Sequence, residues 1–203
     1  MATAAKPALE VPATLPKVAN PAPLGLAAFG VTTVVLSSIN AGLLPPEATA
    51  AVVPLAFAFG GLAQLITGVL EHQNGNTFGT VAFTAYGAFW CWYSLLVWTI
   101  GAGWIKPPAP AGVATVLLMW GVFTLYMWIP TFKSNKGIFI TFLLLWITFF
   151  LLAGGDYGWA AGKKSGGTVG LLTGVVALYV SCAEVMNGTF GREMLPLGEP
   201  LIK

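Results

Sequence analysis

Charge is what this sequence most lacks: Asp, Glu, Lys and Arg make up 8% of its 203 residues, against roughly 25% in an ordinary soluble domain. A soluble chain cannot be built on that proportion. The net charge of +2 comes from scattered basic residues, which excludes a nucleic-acid surface. A single histidine, His72, excludes the paired axial ligands of a membrane b-type haem. No lysine lies inside an apolar run, which excludes a retinal Schiff base. Cys91 and Cys182 both sit within apolar runs, where free cysteine behaves as a small hydrophobe, so a disulfide framework is not expected. There is no glycine-rich phosphate loop, metal-ligand cluster or nucleophile motif. The reading is therefore no enzyme, no cofactor and no metal.

What the chain has is apolar length. Hydrophobic residues make up 57%, and the stretches free of charge run 18–46, 48–70, 73–105, 107–132, 137–155 and 165–183. Each can cross hydrocarbon, which takes roughly 20 helical residues. These runs predict an all-α membrane protein of six transmembrane helices over residues 20–190. Residues 1–19 carry Pro7, Pro12 and Pro16 beside Lys6, Glu10 and Lys17, have no apolar core, and read as a disordered N-terminal tail. Residues 191–203 read as a C-terminal tail. Lys6, Lys17, Lys133, Lys136, Arg192 and Lys203 fall on the side of the termini, against Lys106, Lys163 and Lys164 on the other. That bias places both tails in the cytoplasm. Asn187-Gly188-Thr189, a formal glycosylation acceptor, then faces the wrong side and reads as accidental.

Prolines and glycines punctuate the runs. Helices are expected from about Pro23 to before Pro45-Pro46, Val53 to Leu70, Phe78 to Ile100, Val113 to Ile129, Gly137 to Gly154-Gly155, and Thr168 to Val185. Pro130 should kink or stop the fourth. Gly166, Gly170 and Gly174 form a ridge at four-residue spacing, as do Gly60-Gly61 with Gly68 more loosely. Such ridges let backbones approach in lipid, within one bundle or between copies. Trp92, Trp98, Trp104, Trp128 and Trp159 lie near span ends, where indoles favour the headgroup region.

Helical spacing also gathers polar and aromatic groups into stripes. These are Phe29, Thr33, Ser37 and Asn40 on the first helix, and Gly61, Gln64, Gly68 and Glu71 on the second. Phe83, Tyr86, Trp90 and Tyr93 share a face of the third, and Thr173, Ala177, Ser181 and Glu184 a face of the sixth. Together they can line a narrow pathway, or equally fill a bundle core, since Ser and Thr back-bond their own helix. Glu71 and Glu184 are the ionisable groups nearest the membrane interior, where such residues are costly and often functional. They either reach interfacial water, or shape a cytoplasmic vestibule or relay protons.

Four strings resemble the acetate uptake transporter family, also called the succinate/acetate permeases. They are Asn20-Pro21-Ala22-Pro23-Leu24-Gly25-Leu26; Gly75-Asn76-Thr77-Phe78-Gly79 with Tyr86-Gly87-Ala88-Phe89-Trp90; Trp120-Gly121-Val122-Phe123-Thr124-Leu125; and Phe190-Gly191-Arg192 with Leu195-Pro196. The resemblance implies a homo-hexamer in the plasma membrane with a separate pathway in each six-helix protomer. It implies acetate and related short carboxylates, succinate included, as substrates. It also implies a hydrophobic constriction of Phe29, Tyr86 and Leu145, the last at the end of Leu143-Leu144-Leu145, where a one-residue shift of register selects Leu144.

The chemistry agrees with that implication. Stripping a carboxylate of water is costly, and the spans hold no Lys or Arg to receive it. A dry ring favours a small, partly hydrated or protonated acid, with selectivity from pore width and a few hydrogen bonds. Candidate donors are the amides of Asn20 and Gln64, the hydroxyls of Thr33 and Thr77, a Tyr86 hydroxyl offered to a passing carboxyl group, and the N-terminal ends of helices 1 and 3. Proton-linked transport and channel-like passage both fit. A pore for a small neutral solute such as urea or ammonia is the runner-up, and a structural or assembly role in a membrane complex the second alternative.

Overall fold

The computed structural model describes residues 19–202. The expected N-terminal tail and the charges of Lys6, Lys17 and Lys203 lie outside those residues, apart from Ala19. Among the described residues every regular element is helical, and six helices are long and apolar enough to cross a membrane. They are α1 Ala22–Asn40, α2 Pro46–Gln73, α3 Thr77–Gly101, α4 Pro110–Lys133, α5 Lys136–Asp156 and α6 Gly162–Phe190. Large apolar side chains such as Ile66, Met119, Val122, Leu172 and Val175 remain exposed around the bundle, as a lipid-facing surface requires.

The helix starts follow local chemistry. Pro46 and Pro110 occupy first-turn positions, where the missing N–H costs nothing. Asn76 caps α3 by accepting from Gly79 N at 3.0 Å, and Asn135 caps α5 by accepting from Ile138 N at 2.9 Å. Helix α2 begins well before the expected Val53, so Pro54 falls inside it, and the stretch Ala56–Ala63 widens into a π-helix. A proline in a helix removes one ladder hydrogen bond, and the wider winding accommodates the break. Ser94 on α3 donates to Val53 O at 2.7 Å beside it. In α4, Pro130 converts the last turn to a 3₁₀-helix over Ile129–Lys133.

Helix α6 is longer at both ends than the expected 168–185. It starts at Gly162 because Gly155 and Gly162 let the α5 and α6 backbones meet there, with Lys163 paired to Asp156 at 2.7 Å. It ends at Gly191, which takes the left-handed conformation with φ 64°. The glycine ridge faces inward. Gly166 abuts Leu152 of α5, Gly170 abuts Ser37 of α1, and Gly174 abuts Val34 and Gly30 of α1. The ridge therefore serves packing within one protomer.

Residues 195–202 form a strap. Leu197 O and Gly198 O accept from Gly137 N and Lys136 N at 3.2 and 3.4 Å, and Ile202 N donates to Phe132 O at 3.0 Å. Tyr179 Oη donates to Pro196 O at 2.7 Å. Asn187 secures the approach: its Oδ1 accepts from Met194 N and Leu195 N while its Nδ2 donates to Leu195 O. The tripeptide that reads as an accidental glycosylation site thus has a structural role.

Candidate functional site

Helices α1, α3 and α5 all begin on one side of the bundle, and each begins at an asparagine. Asn20 Oδ1 accepts from Ala22 N at 3.0 Å, while Asn76 and Asn135 cap α3 and α5. Between these ends opens a cavity of about 260 Å³, small beside the roughly 300–1,000 Å³ of drug-sized ligand sites. Its outer part is bounded by Asn76, Phe78, Ser134, Asn135 and Glu184, its depth by Leu26, Ala82, Phe83 and Phe142. At 1.5 Å of rise per residue, Tyr86 lies ~15 Å along α3 from Asn76, which is mid-membrane depth.

Phe29, Tyr86 and Leu145 all line this cavity and are 6%, 3% and 4% exposed. The rings of Phe29 and Tyr86 stand 5.9 Å apart. Leu144 is less buried and does not line it. Beyond them, Phe89 packs against Trp90, Trp120 and Phe149 at 5.2–5.3 Å, which leaves the far half of the bundle dense. The lining is mainly apolar, with Glu184 its one carboxylate among the described residues and no Lys or Arg.

The polar candidates separate into two groups. Gln64 is fully buried, lines the cavity, and leaves its Oε1 without a hydrogen-bond partner among the described residues. Glu184 lines it too, and its Oε2 accepts from Asn20 Nδ2 at 3.2 Å. Glu71 lies outside the cavity but is buried beside it, where its Oε2 accepts from Asn76 Nδ2 at 2.8 Å. The two glutamates thus steady the asparagines that open α1 and α3. Thr33, Asn40 and Thr77 do not line the cavity. Thr33 is buried on the next turn beyond Phe29, Asn40 ends α1 beside Gly167 at the opposite side, and Thr77 is exposed on the first turn of α3.

The stripe on α6 is a packing surface in part: Thr173 donates to Val169 O at 2.9 Å, and Ser181 donates across to Pro23 O at 2.7 Å. The Tyr86 hydroxyl is also committed. It donates to Thr124 Oγ1 of α4 at 3.0 Å, so it does not stand free for a passing carboxyl group. Asn76, Asn135, Ser134 and Phe142 are lining residues that stripe reasoning misses. The signal for them was present, because each Asn heads an apolar run and precedes Phe29, Tyr86 or Leu145 by nearly the same stretch of chain.

Comparison with known proteins bears directly on this arrangement. The model of the GPR1/FUN34/yaaH family matches residues 2–194. The succinate-acetate/proton symporter SatP of Escherichia coli K12 is 40% identical over 184 residues, covering 90% of this chain and 97% of its own. Acetate permease A of Emericella nidulans is 36% identical over 198 residues, covering 89% of this chain and 66% of its own. Among solved structures, the bacterial acetate channel SatP superposes with a TM-score of 0.86 at 39% identity, covering 90% of this chain and 100% of that one.

Proposed function

The chain belongs to the GPR1/FUN34/yaaH family, and from that premise we propose that its six helices pass acetate and related short carboxylates, succinate among them, across a membrane. The relatives compared above are transport proteins by name, and transport is the activity assigned to this chain in place of any enzymatic one. The observation that carries the reading is the cavity of about 260 Å³ that runs from the helix starts to the paired rings of Phe29 and Tyr86.

In this reading Phe29, Tyr86 and Leu145 form the constriction, and the outer cavity is the vestibule. The N-terminal ends of α3 and α5 bring positive dipole ends to that vestibule, which draws a carboxylate in. Gln64 offers a carboxamide on the way to the narrow point. The apolar ring then opposes a fully ionised group, since no cationic side chain offsets its desolvation there. A small acid that is partly hydrated or carries its proton passes most easily. Glu184 and Glu71 shape the mouth through Asn20 and Asn76, and Thr33 and Asn40 are assigned to packing, with Thr77 left on the exposed first turn of α3.

We further assign the protein to the plasma membrane as a homo-hexamer with both chain ends cytoplasmic. The basic residues on the side of the termini support the orientation, and the exposed apolar faces offer surface for neighbours and lipid alike. Tags at residues 1 and 203 should resist impermeant reagents in intact cells, and labelling of either from outside overturns the orientation.

The test of function is uptake of labelled acetate into proteoliposomes with pH and voltage imposed independently. Saturable uptake that other short monocarboxylates compete with, and urea does not, is the expected result. Uptake that tracks voltage at fixed pH marks channel passage of the anion; uptake that tracks the pH gradient alone marks proton-linked transfer. Vesicles that swell in urea or ammonia while excluding acetate would leave the neutral-solute pore in its place.

A further inference from the structure

We propose that Thr124, a residue outside the cavity, is a positioning residue that sets the constriction by tethering the ring of Tyr86. The proposal rests on the transport reading above for its consequence, though the tether itself does not depend on what is transported.

The geometry gives the tether a direction. Thr124 is fully buried, and its hydroxyl hydrogen is donated to Trp120 O at 2.7 Å in its own helix. Its Oγ1 is then left to accept, and Tyr86 Oη donates to it at 3.0 Å. Hydrogens thus run one way, from Tyr86 to Thr124 to the α4 backbone. The back-bond also fixes the threonine rotamer, so the acceptor stands at a defined place. Helix α4 is itself seated on α5 where Gly121 faces the Phe150 ring, since a β-carbon there would come within 2.7 Å of it. The anchor is rigid at both levels.

The ring it holds is less constrained by packing. Around Tyr86 stand Trp120, Phe123 and Phe142 at 5.7–6.0 Å, and on the remaining side lie Phe29 and the cavity. Aromatic contacts at such distances are favourable but weakly directional, whereas a hydrogen bond fixes the far end of the ring. A buried phenol without an acceptor is unfavourable, so removing Thr124 Oγ1 drives the hydroxyl toward another. The same cavity provides one in Gln64 Oε1, which has no partner among the described residues. An untethered Tyr86 therefore leans into the path.

This makes a signed prediction. Thr124→Val keeps the shape of the side chain, removes the acceptor, and should lower acetate flux about tenfold, the scale of one buried hydrogen bond. Thr124→Ser restores the acceptor and should restore flux. Adding Tyr86→Phe to Thr124→Val removes the group that seeks Gln64, so the double variant should regain flux to about that of Tyr86→Phe alone. Because Tyr86→Phe also removes the buried hydroxyl that Thr124→Val leaves unpaired, and so can restore stability as well, flux is taken per folded protein and rescue is read in transport and not in yield. Thr124→Ala is read in the same way should the valine variant not fold. A double variant as slow as Thr124→Val, or wild-type flux in both Thr124→Val and Thr124→Ala, overturns the proposal.

A second readout is independent of transport. In protein labelled with 3-fluorotyrosine, the ¹⁹F resonance lost in Tyr86→Phe identifies the ring. It should shift in Thr124→Val and hold its place in Thr124→Ser. An unmoved resonance in Thr124→Val removes the tether even if the protein carries acetate. A wild-type protein that moves no carboxylate removes the transport reading even if the resonance shifts.

Discussion

Two seams of this bundle solve the same packing problem with opposite materials. Between α1 and α6 the backbones touch: a β-carbon built on Gly174 would stand 2.9 Å from Gly30 O, and one on Gly167 would stand 2.8 Å from Ala41 Cα. Between α3 and α4 the backbones are held apart by rings, with Tyr86 on Phe123 at 5.7 Å and Phe89 on Trp120 at 5.2 Å. A seam of backbone atoms has nothing that can rotate. A seam of rings has several parts that can. The cavity lies between them, with Phe29 on the fixed seam and Tyr86 on the adjustable one, so in the proposed constriction one wall is given by the fold and the other by a hydrogen bond.

The largest effect should come from breaking the fixed seam. Gly170→Leu forces a side chain against Ser37 and Thr148, and overpacking of this kind costs roughly 1–3 kcal/mol or more. Yield and monodispersity in detergent should fall sharply. Gly188→Leu, on the same helix but with open space at its β-carbon, should leave both unchanged. Equal damage from the two would mean that α6 is sensitive along its length and that the seam has no special standing.

Phe29→Ala should come next, acting on selectivity more than on assembly. Removing the ring that faces Tyr86 widens the path, and the ratio of lactate to acetate uptake should rise about tenfold, equivalent to ~1.4 kcal/mol between the two acids. An unaltered ratio in folded protein moves the narrow point away from this pair.

Phe89→Leu probes the adjustable seam away from the cavity. This partial truncation leaves a small cavity among several rings and is expected to cost roughly 1–2 kcal/mol, visible as a modest fall in thermal stability with acetate flux retained. Collapse of the fold would show that the ring seam is as unforgiving as the glycine one. Smallest of all should be Lys163→Ala. The ion pair with Asp156 has its lysine largely exposed, and such pairs contribute roughly 0–1 kcal/mol. A marked loss would mean that charge and not backbone contact holds α5 to α6.

The spans were legible because membrane hydrocarbon imposes a rule on composition that any charge-free run reveals. Their ends were less so. Lys163 and Lys164 look like a loop until Asp156 and the neighbouring glycines are seen to hold that turn in helix α6. Pro54 looks like a helix start because the wider winding that absorbs it has no sequence signature. At the site, Phe29 and Tyr86 came with recognisable strings, whereas Thr124 sat in such a string without any sign of its partner across the bundle. Helical stripes located Gln64 and Glu184 on inward faces. They could not tell that Asn40 faces inward at the wrong end, because periodicity gives direction around a helix and not depth along the pathway.

The strap of residues 195–202 has a consequence in the order of synthesis. Every hydrogen bond it makes to Phe132, Lys136 and Gly137 joins the last part of the chain to the turn between the fourth and fifth spans. That turn leaves the ribosome long before its partner exists. The loop that begins α5, and with it the Asn135 edge of the cavity, is therefore fastened only after all six spans have been made, and a nascent chain stalled at α6 carries a bundle in which that edge is still unlatched.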